Sequence, residues 1–364
     1  MRAALNVPVE NGKVVNTFRL RKAVPTIEFL RKKNARVILI GHIGEQGTET
    51  LEPVYQALKE FVPGLEWCPV TIGEKARAAV RELLPGGVIM LENLRRDRGE
   101  VMNDKKFAQE LAELADVFVE DSFDVCHRAH ASVVGVPTLL PSYAGLLVEE
   151  EVKQLSKALK PNHPALALIG GAKFATKEPV LMKLLEVYDR VFAGGALGND
   201  FVKAMGNNVG ASLVSDADPK AIKNVLANRK LAVPLDAVIG TPDQKKEDAQ
   251  VVRLDSVPAD KAILDEGPAT TEMLVKLVKE AKTILWNGPL GNYENGYTDS
   301  TFAVAKAIAE SNAYSIVGGG DTVAAIEELG AASHFSFLST GGGAMLDFLA
   351  KGTLPGLKVL DTPR

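Results

Sequence analysis

Short apolar segments recur along the chain, and amphipathic stretches separate them. They are rich in Val, Ile and Leu and cover residues 37–40, 87–91, 117–119, 165–169, 191–193, 283–286, 315–317 and 335–338. This alternation predicts strand–helix–strand units. Because wholly apolar runs are typical of strands buried on both faces, we expect parallel sheets covered by helices. The predicted fold class is α/β with doubly wound sheets.

The length of the chain, 364 residues, exceeds what one hydrophobic core usually spans. A single large barrel is the alternative to two domains. A turn-forming segment at 141–145 precedes a heptad-like helical pattern at 146–160. We therefore predict two Rossmann-like domains, 1–145 and 161–349, joined by a hinge helix at 146–160.

Different residues follow the strands in the two halves of the chain. Cations such as His42 and Arg95 follow strands of the first half, whereas glycines such as Gly170, Gly319 and Gly342 follow strands of the second. In open parallel sheets the ligand lies outside the carboxyl ends of the strands. Arginine and histidine suit a small anion, and glycines let backbone N–H groups approach the phosphates of a nucleotide. The pattern predicts one ligand on each domain.

Lys173 and Lys177 stand four residues apart after a glycine pair. If a helix begins there, they share a face at its positive end and could hold a phosphate. A solvated pair of surface lysines is the alternative. The nucleotide P-loop pattern Gly-x-x-x-x-Gly-Lys-Ser/Thr is absent from the sequence.

Asp321 is the candidate metal ligand. It follows three glycines, and Mg²⁺ that bridges phosphates usually takes only one or two protein carboxylates. The alternative is that Asp321 only caps a helix. Three further glycines at 341–343 form either a turn or a second phosphate contact.

A basic group is spread over the first half: Arg19, His42, Arg95, His127, Arg128 and His130. If their side chains lie together, these residues would bind a phosphate and a carboxylate. The alternative is that each is a surface ion pair or a histidine with its own hydrogen-bond partners. The sequence contains no nucleophile–base motif, so catalysis would depend on positioning and electrostatics, as in direct phosphoryl transfer.

Net charge and cysteine content indicate what the protein binds and in which compartment it acts. The formal net charge of −4 gives no general attraction for nucleic acid or anionic membranes. Cys68 and Cys126 have neither the number nor the spacing of a disulfide framework or a zinc site. No apolar run approaches the length of a membrane span, and the first residues lack a secretory pattern. We expect a cytoplasmic monomer that binds neither nucleic acid nor membrane.

Taken together, these segments resemble the phosphoglycerate kinase family over nearly the whole chain. The matching motifs appear in family order: Leu91-Glu92-Asn93-Leu94-Arg95, His127-Arg128-Ala129-His130-Ala131-Ser132, Gly170-Gly171-Ala172-Lys173, Trp286-Asn287-Gly288-Pro289, Gly318-Gly319-Gly320-Asp321 and Ser339-Thr340-Gly341-Gly342-Gly343-Ala344. A single match would be weak evidence, but this many in order is specific.

The resemblance implies reversible phosphoryl transfer between 1,3-bisphosphoglycerate and ADP, giving 3-phosphoglycerate and ATP. It implies a phosphoglycerate-binding N-terminal domain onto which residues 350–364 fold back, a C-terminal domain that binds the nucleotide with Mg²⁺, and closure about the hinge. The implied phosphoglycerate ligands are Asn6, Arg19, His42, Arg95 and Arg128. The implied catalytic residues are Arg19, Lys173 and Lys177. The implied nucleotide contacts are Lys177, Gly267, Asn287, Glu294 (at the ribose), Gly318, Gly319, Gly320, Asp321 (holding Mg²⁺) and Thr322.

The chain departs from the family pattern around the phosphoglycerate. Ala4 stands where family members have an Asp, and Glu45 stands where they have an Arg. Glu120 and Asp124 replace neutral residues and add negative charge nearby. We therefore expect weakened phosphoglycerate binding. The alternative is a non-catalytic nucleotide-binding paralogue; a Rossmann dehydrogenase is disfavoured because no Gly-x-Gly-x-x-Gly opens the first helix.

Overall fold

The computed structural model of the chain describes residues 1–242, 246 and 249–361. Its strands, in chain order, are β1 (Arg2–Ala3), β2 (Val9–Glu10), β3 (Lys13–Val14), β4 (Val37–Leu39), β5 (Leu65–Cys68), β6 (Val88–Leu91), β7 (Phe118–Asp121), β8 (Ser142–Ala144), β9 (Ala165–Ile169), β10 (Arg190–Ala193), β11 (Leu231–Ala232), β12 (Asp236–Gly240), β13 (Gln250–Arg253), β14 (Ala262–Glu266), β15 (Thr283–Asn287), β16 (Tyr314–Gly318) and β17 (Phe337–Leu338).

The α-helices are α1 (Phe18–Lys32), α2 (Glu52–Leu58), α3 (Glu74–Glu82), α4 (Arg98–Val101), α5 (Lys105–Ala112), α6 (Leu146–Ala158), α7 (Phe174–Val187), α8 (Ala196–Ala204), α9 (Pro219–Leu226), α10 (Pro268–Glu280), α11 (Asp299–Ala309), α12 (Gly320–Glu328), α13 (Gly343–Lys351) and α14 (Pro355–Lys358). The chain divides into two compact units. Unit 1 is Met1–Lys153 with the segment from Thr353 onward, and unit 2 is Gln154–Gly352. In the returning segment, Gly356 N–H donates to the Cys126 carbonyl oxygen at 2.8 Å.

Unit 1 is built on parallel strands. One sheet has the order β1-β7-β8 and another the order β4-β6-β5. A parallel bridge between Arg2 and Ile40 joins β1 to the end of β4, so the strands run in the order β8-β7-β1-β4-β6-β5. Helix α1 packs its buried residues Leu20, Ala23 and Ile27 into the core beneath β4.

Unit 2 contains a six-stranded parallel sheet in the order β11-β10-β9-β15-β16-β17. Its central strands β9 and β15 are buried at every position. Because both faces of such strands are covered, the side chains on either face must be apolar or have hydrogen-bond partners. Helix α7 runs between β9 and β10 and buries Phe174, Leu181 and Leu184.

The predicted α/β class and the parallel strands are confirmed, and each predicted apolar run overlaps a strand. Two sheets of the described residues are antiparallel and so differ from the prediction. Strands β2 and β3 form an antiparallel pair in unit 1. Strands β13, β12 and β14 form an antiparallel sheet in unit 2, in that order. Strand β12 is buried only at some positions, and β13 is largely exposed, so neither produces a continuous apolar run.

Each unit has a point at which its strand order reverses. In unit 1 the chain leaves β1 for β4 on one side and later returns to β7 on the other; in unit 2 it leaves β9 for β10 and later returns to β15. The loops after such neighbouring strands diverge and leave a crevice where ligands bind. Asn6 and His42 follow β1 and β4, and Lys173 and Gly288 follow β9 and β15.

Candidate active site

The glycine loops of unit 2 meet at the carboxyl ends of β9, β10 and β15. A side-chain carbon at Gly170 would lie 2.2 Å from the Pro289 carbonyl oxygen, and one at Gly288 would lie 2.6 Å from the Gly170 backbone. One at Gly195 would lie 3.0 Å from the Gly171 nitrogen. Gly171, Gly195 and Gly288 also have positive φ angles of 82°, 61° and 95°. Only glycine permits this packing of backbone on backbone.

A cavity of about 340 Å³ opens beside these loops within unit 2. Gly171, Gly195 and Asp321 line it with backbone and one carboxylate. Apolar side chains form much of the remaining wall: Val202, Leu213, Pro234, Leu254, Ile263 and Leu264. An apolar cleft that also carries polar groups suits a ligand that has a flat organic part and a charged part.

Lys177 lies in the first turn of α7, half-buried at the carboxyl edge of the sheet. Its Nζ donates to Asn287 Oδ1 at 3.3 Å. The other end of this amide, Nδ2, donates to Met345 Sδ at 3.6 Å, which orients Oδ1 toward the lysine. Burial lowers the pKa of Lys177 to about 8. The pair places a cation at the positive end of a helix, where an anion would bind.

Lys173 precedes α7 rather than lying on it. Its φ is 66°, in the left-handed region that non-glycine residues rarely adopt, and its side chain is exposed. The two lysines were predicted to share a face if a helix began at the glycines. They do not, because α7 begins at Phe174 and Lys173 lies before it. Left-handed backbone in a residue with a side chain is costly and is often retained at functional sites.

The loop after β16 carries Gly319, Asp321 and Thr322. Gly319, at φ 101°, caps α12, and Asp321 lies within the first turn with an exposed side chain. The interpretation of Asp321 as the helix cap is therefore wrong. Thr322 Oγ is buried without a hydrogen-bond partner in the described structure. Partial burial, and then the nearby Glu294 carboxylate, raise the pKa of Asp321.

This loop fits a magnesium–phosphate group. Asp321 offers carboxylate oxygens, and the unpaired Thr322 hydroxyl is available for a phosphate oxygen. Glu294 is exposed and close enough to Asp321 to affect its titration. Among residues 1–242, 246 and 249–361, no three His, Cys, Asp or Glu side chains are grouped to hold a metal by themselves.

The predicted nucleotide residue Gly267 does not line the cavity; it packs against Asp236, whose carboxyl carbon would lie 2.2 Å from a side-chain carbon at that position. The cavity wall is formed instead by its neighbours Asp265 and Glu266. Sequence reasoning missed both acids, because the apolar residues 262–264 that precede them are too few to predict a strand.

In unit 1, Arg2 organises the core of the cationic site. It is completely buried, and its Nε donates to Ser132 Oγ at 2.8 Å. Its guanidinium pairs with the buried Glu100 carboxylate, 3.8 Å away. Arg2 Nη2 also lies 3.1 Å from His42 Nδ1. Because a guanidinium can only donate, His42 Nδ1 accepts and its proton resides on Nε2.

The structure brings Arg19, His42, Arg95 and Arg128 together. Burial holds the pKa of His42 well below its usual range, and the charges of Arg2, Arg95 and Arg19 add to this. Burial lowers the pKa of Arg95 as well, followed by repulsion from Arg2 and Arg128. Arg2, Arg95 and Arg128 are therefore close enough for their charges to interact, and His42, beside Arg2, is neutral at neutral pH. A dense group of cations is a binding site for a small anion.

Backbone contacts hold the mouth of this cluster in place. Arg19 donates to the Asn6 carbonyl oxygen and Arg95 donates to the Gly44 carbonyl oxygen. Gly44 N–H in turn donates to Asn6 Oδ1 at 3.2 Å. Arg95 Nε is buried without a hydrogen-bond partner among the described residues, so one donor of the cluster remains for a ligand.

The residues that depart from the family pattern lie around the cations. Ala4 is fully buried and offers no polar group. Glu45 is exposed, and its negative charge raises the pKa of Arg95. Glu120 is buried beside Arg2; burial raises its pKa to about 8. Asp124 Oδ1 accepts from Ser122 Oγ at 2.6 Å. The predicted addition of negative charge is thus present in the structure at Glu45.

A cationic crevice in one parallel α/β unit and a glycine-lined cleft in the other are features of enzymes that act on phosphorylated ligands. None of the helices among the described residues has the length and apolar composition of a membrane span. The family model described as phosphoglycerate kinase matches residues 1–352. The chain belongs to the phosphoglycerate kinase family.

Curated relatives and solved structures agree. The phosphoglycerate kinase of Thermus thermophilus is 40% identical over 374 residues, covering 99% of this chain and 96% of the relative. That of Herpetosiphon aurantiacus is 41% identical over 376 residues, covering 99% and 95%. The phosphoglycerate kinase structure from Pyrococcus horikoshii has a TM-score of 0.89 at 30% identity, covering 99% of this chain and 94% of that one. The structure from Coxiella burnetii has a TM-score of 0.81 at 36% identity, covering 99% and 94%.

Family membership confirms the enzyme class that the sequence predicted, a kinase whose phosphoryl acceptor is a carboxyl group. It also implies ATP/ADP substrate chemistry.

Proposed function

We propose that the chain catalyses reversible phosphoryl transfer between 1,3-bisphosphoglycerate and ADP, with the phosphoglycerate bound by unit 1 and the magnesium nucleotide by unit 2. In this proposal the domain 1–145, with residues 350–364, holds the phosphoglycerate. The domain 161–349 holds the nucleotide, and the helix at 146–160 acts as the hinge about which they close. The enzyme would act as a cytoplasmic monomer.

The observation that best supports a nucleotide site in unit 2 is the burial of Lys177 without an anionic partner among the described residues. The lysine is half-buried and makes no ion pair with a carboxylate in the described part of the chain. Desolvating a cation without an anionic partner is unfavourable, as its lowered pKa reflects. A phosphate of the nucleotide would supply the missing charge and restore full protonation of the lysine.

The phosphoglycerate is proposed to bind to the cation cluster. Arg95 and Arg128 would hold its phosphate with planar forks of donors, and Arg19 would also steady the transferring group. His42 is neutral and would donate from Nε2 to the carboxylate, while Asn6 would set the position of the Gly44 loop. One donor of this assignment, Arg95 Nε, has no hydrogen-bond partner among the described residues.

Mg²⁺ is proposed to bind at Asp321, next to the Thr322 hydroxyl and the Gly318, Gly319 and Gly320 backbone. When bound there, it would neutralise charge on the nucleotide phosphates. Glu294 would contact the ribose. Gly267 would support Asp236 behind the cleft rather than touch the nucleotide.

The residues of this site act by charge and position. Lys177, and Lys173 from its exposed position, would stabilise negative charge on the transferring phosphoryl oxygens. Asn287 would hold the Lys177 ammonium at a fixed point through its Oδ1. No group in the proposal acts as a covalent nucleophile, so the phosphoryl passes directly from one oxygen to another.

Calorimetric titration of each ligand separately tests the proposal. We expect MgADP to bind, with affinity reduced roughly tenfold or more in Lys177→Ala, as loss of a charged hydrogen-bond donor implies, and unchanged in Arg95→Ala. We expect 3-phosphoglycerate to bind weakly, with the opposite dependence on these two variants. Equal effects of each variant on both ligands would contradict the assignment of one ligand to each unit.

A non-catalytic nucleotide-binding paralogue is the second candidate. The observation that favours it is the Glu45 carboxylate, which interacts with Arg95 at the cation cluster. It predicts normal MgADP binding and no detectable binding of 3-phosphoglycerate.

A further inference from the structure

Glu266 is a buried acid at the carboxyl end of β14, in the wall of the unit 2 cavity. Only 4% of the residue is exposed. A side-chain carbon at Gly194 would lie 2.5 Å from Glu266 Oε1, so the absence of a side chain at Gly194 makes room for the carboxyl group. The acid is therefore built into the loop that borders the cavity.

Only one of the two carboxyl oxygens of Glu266 is used by the protein. Gly195 N–H donates to Oε1 at 2.9 Å. Within the described part of the chain, Oε2 makes no hydrogen bond, and no Lys or Arg pairs with the carboxyl group. An acid in a wall of this kind usually has a cation or several donors around it. The free oxygen is thus left for a ligand in the cavity.

The surroundings of Glu266 favour the protonated acid. Burial raises its pKa well above the usual range, the Gly195 N–H opposes this, and the charges of Asp265 and Asp236 add to the rise. Because Oε1 already accepts from Gly195, the acid proton belongs on Oε2. Oε2 is then a hydrogen-bond donor in a cavity whose other walls are largely apolar.

Lys177 lies close to one wall of the cavity, since a side-chain carbon at Gly171 would lie 3.9 Å from Lys177 Nζ. Leu213, Leu254 and Ile263 supply apolar wall in the same cavity as Glu266. A neutral donor among apolar walls suits the planar, uncharged base of a nucleotide and not its phosphates. Ring nitrogens of a purine are acceptors that such a donor can reach.

We propose that Glu266 is a base-recognition residue, which donates from Oε2 to one ring nitrogen of the purine of the bound nucleotide. This inference rests on the proposed nucleotide site of unit 2 and assigns its specificity to a residue of the cavity wall. Glu266→Gln keeps a donor toward the ligand and an acceptor for Gly195 N–H. Glu266→Leu removes the donor and the acceptor but has a similar side-chain volume.

The test removes single ring nitrogens from the ligand and changes the side chain of Glu266, separately and in combination. MgADP and its 1-deaza, 3-deaza and 7-deaza analogues, each lacking one ring nitrogen, are titrated calorimetrically into the wild-type chain, Glu266→Gln and Glu266→Leu. We expect one analogue to bind roughly fivefold more weakly than ADP to the wild type and to Glu266→Gln. The same analogue should bind Glu266→Leu as ADP does, because the partner atom is gone.

The outcomes separate this inference from the proposed function. Absence of MgADP binding to the wild type would overturn the proposed nucleotide site itself, and the role of Glu266 with it. MgADP binding with all three analogues equivalent to ADP in the wild type would overturn the role of Glu266 alone, whether or not the variants fold. A loss that persists in Glu266→Leu would overturn it too. Magnesium tripolyphosphate, which lacks a base, serves as the control and should bind the wild type and Glu266→Leu equally.

Discussion

Lys177 and Asn287 are joined by a hydrogen bond of 3.3 Å between Nζ and Oδ1, although they are 110 residues apart in the sequence. The bond links the first turn of α7 to the end of the central strand β15. Met345 Sδ accepts from the other end of the amide and so orients Oδ1 toward the lysine. The position of the Lys177 ammonium group therefore depends on three segments of the chain.

Lys177→Arg should remove a pH limit on activity. Because burial lowers the pKa of Lys177 to about 8, the free enzyme loses this charge as pH rises through about 8. The value of kcat/KM for MgATP should therefore fall above that pH in the wild type. Arginine stays protonated, so the variant should lack this descending limb even if its maximal rate is lower. The same limb in both proteins would assign it to another group.

Asn287→Asp should move the same limb to higher pH. A carboxylate at hydrogen-bond distance favours the charged form of Lys177 and should raise its pKa by about 1–3 units. The added anion also repels the nucleotide phosphates, so the KM for MgATP should rise. pH–rate profiles measure both effects. Met345→Leu is the matched control, since it alters the neighbouring contact without adding charge; a limb that does not move in Asn287→Asp would contradict the pairing.

Glu45→Arg should lower the KM for 3-phosphoglycerate. Glu45 is exposed and interacts with Arg95, so its charge opposes an anion at the cluster and is screened by solvent. Removing an exposed like charge is worth up to about 1 kcal/mol, or about fivefold in KM, and the new cation should add a similar gain. Glu45→Gln should give about half of the effect in free energy. An unchanged or higher KM in Glu45→Arg would contradict this account of the cluster.

Glu120→Gln should flatten the dependence of thermal stability on pH. Burial raises the pKa of Glu120 from its ordinary 4.5 to about 8, so between these values the folded chain holds a proton that the unfolded chain has lost. Stability should therefore fall as pH rises from 4.5 to 8, by up to about 1.4 kcal/mol per pH unit from this residue. Melting temperatures at pH 5 to 8 should decline more steeply in the wild type than in Glu120→Gln. Parallel declines would show that Glu120 titrates normally.

The parallel sheets were predictable because their central strands are wholly apolar, as in β9 and β15. The antiparallel strands β12 and β14 were not, since each mixes buried apolar residues with acids such as Asp236 and Glu266. Strand β1 has only two residues, Arg2 and Ala3, too few for any periodicity. Its position in the sheet depends on pairing with β7 and Ile40, which are distant in sequence.

The candidate site was predictable where residue type alone sets the chemistry, as for Lys177 and the glycines at its loops. The supporting residues were not. Arg2 and Glu100 form a buried pair in unit 1, and Met345 on α13 reaches Asn287 at the end of β15. The sequence predicted a nucleotide contact at Gly267, whereas the residue that borders the cavity is its neighbour Glu266. Such contacts arise from tertiary packing, which local patterns do not encode.

Turnover tests the central claim most directly. ATP, Mg²⁺ and 3-phosphoglycerate are supplied, and 1,3-bisphosphoglycerate formation is followed as NADH oxidation through coupled glyceraldehyde-3-phosphate dehydrogenase, with Lys177→Ala as the control. We predict turnover that saturates with both substrates, with a raised KM for 3-phosphoglycerate, and that falls at least 100-fold in the control, as is typical when a catalytic charge is removed. Absence of turnover in the wild type, with MgATP binding intact, would contradict the kinase and favour the non-catalytic paralogue.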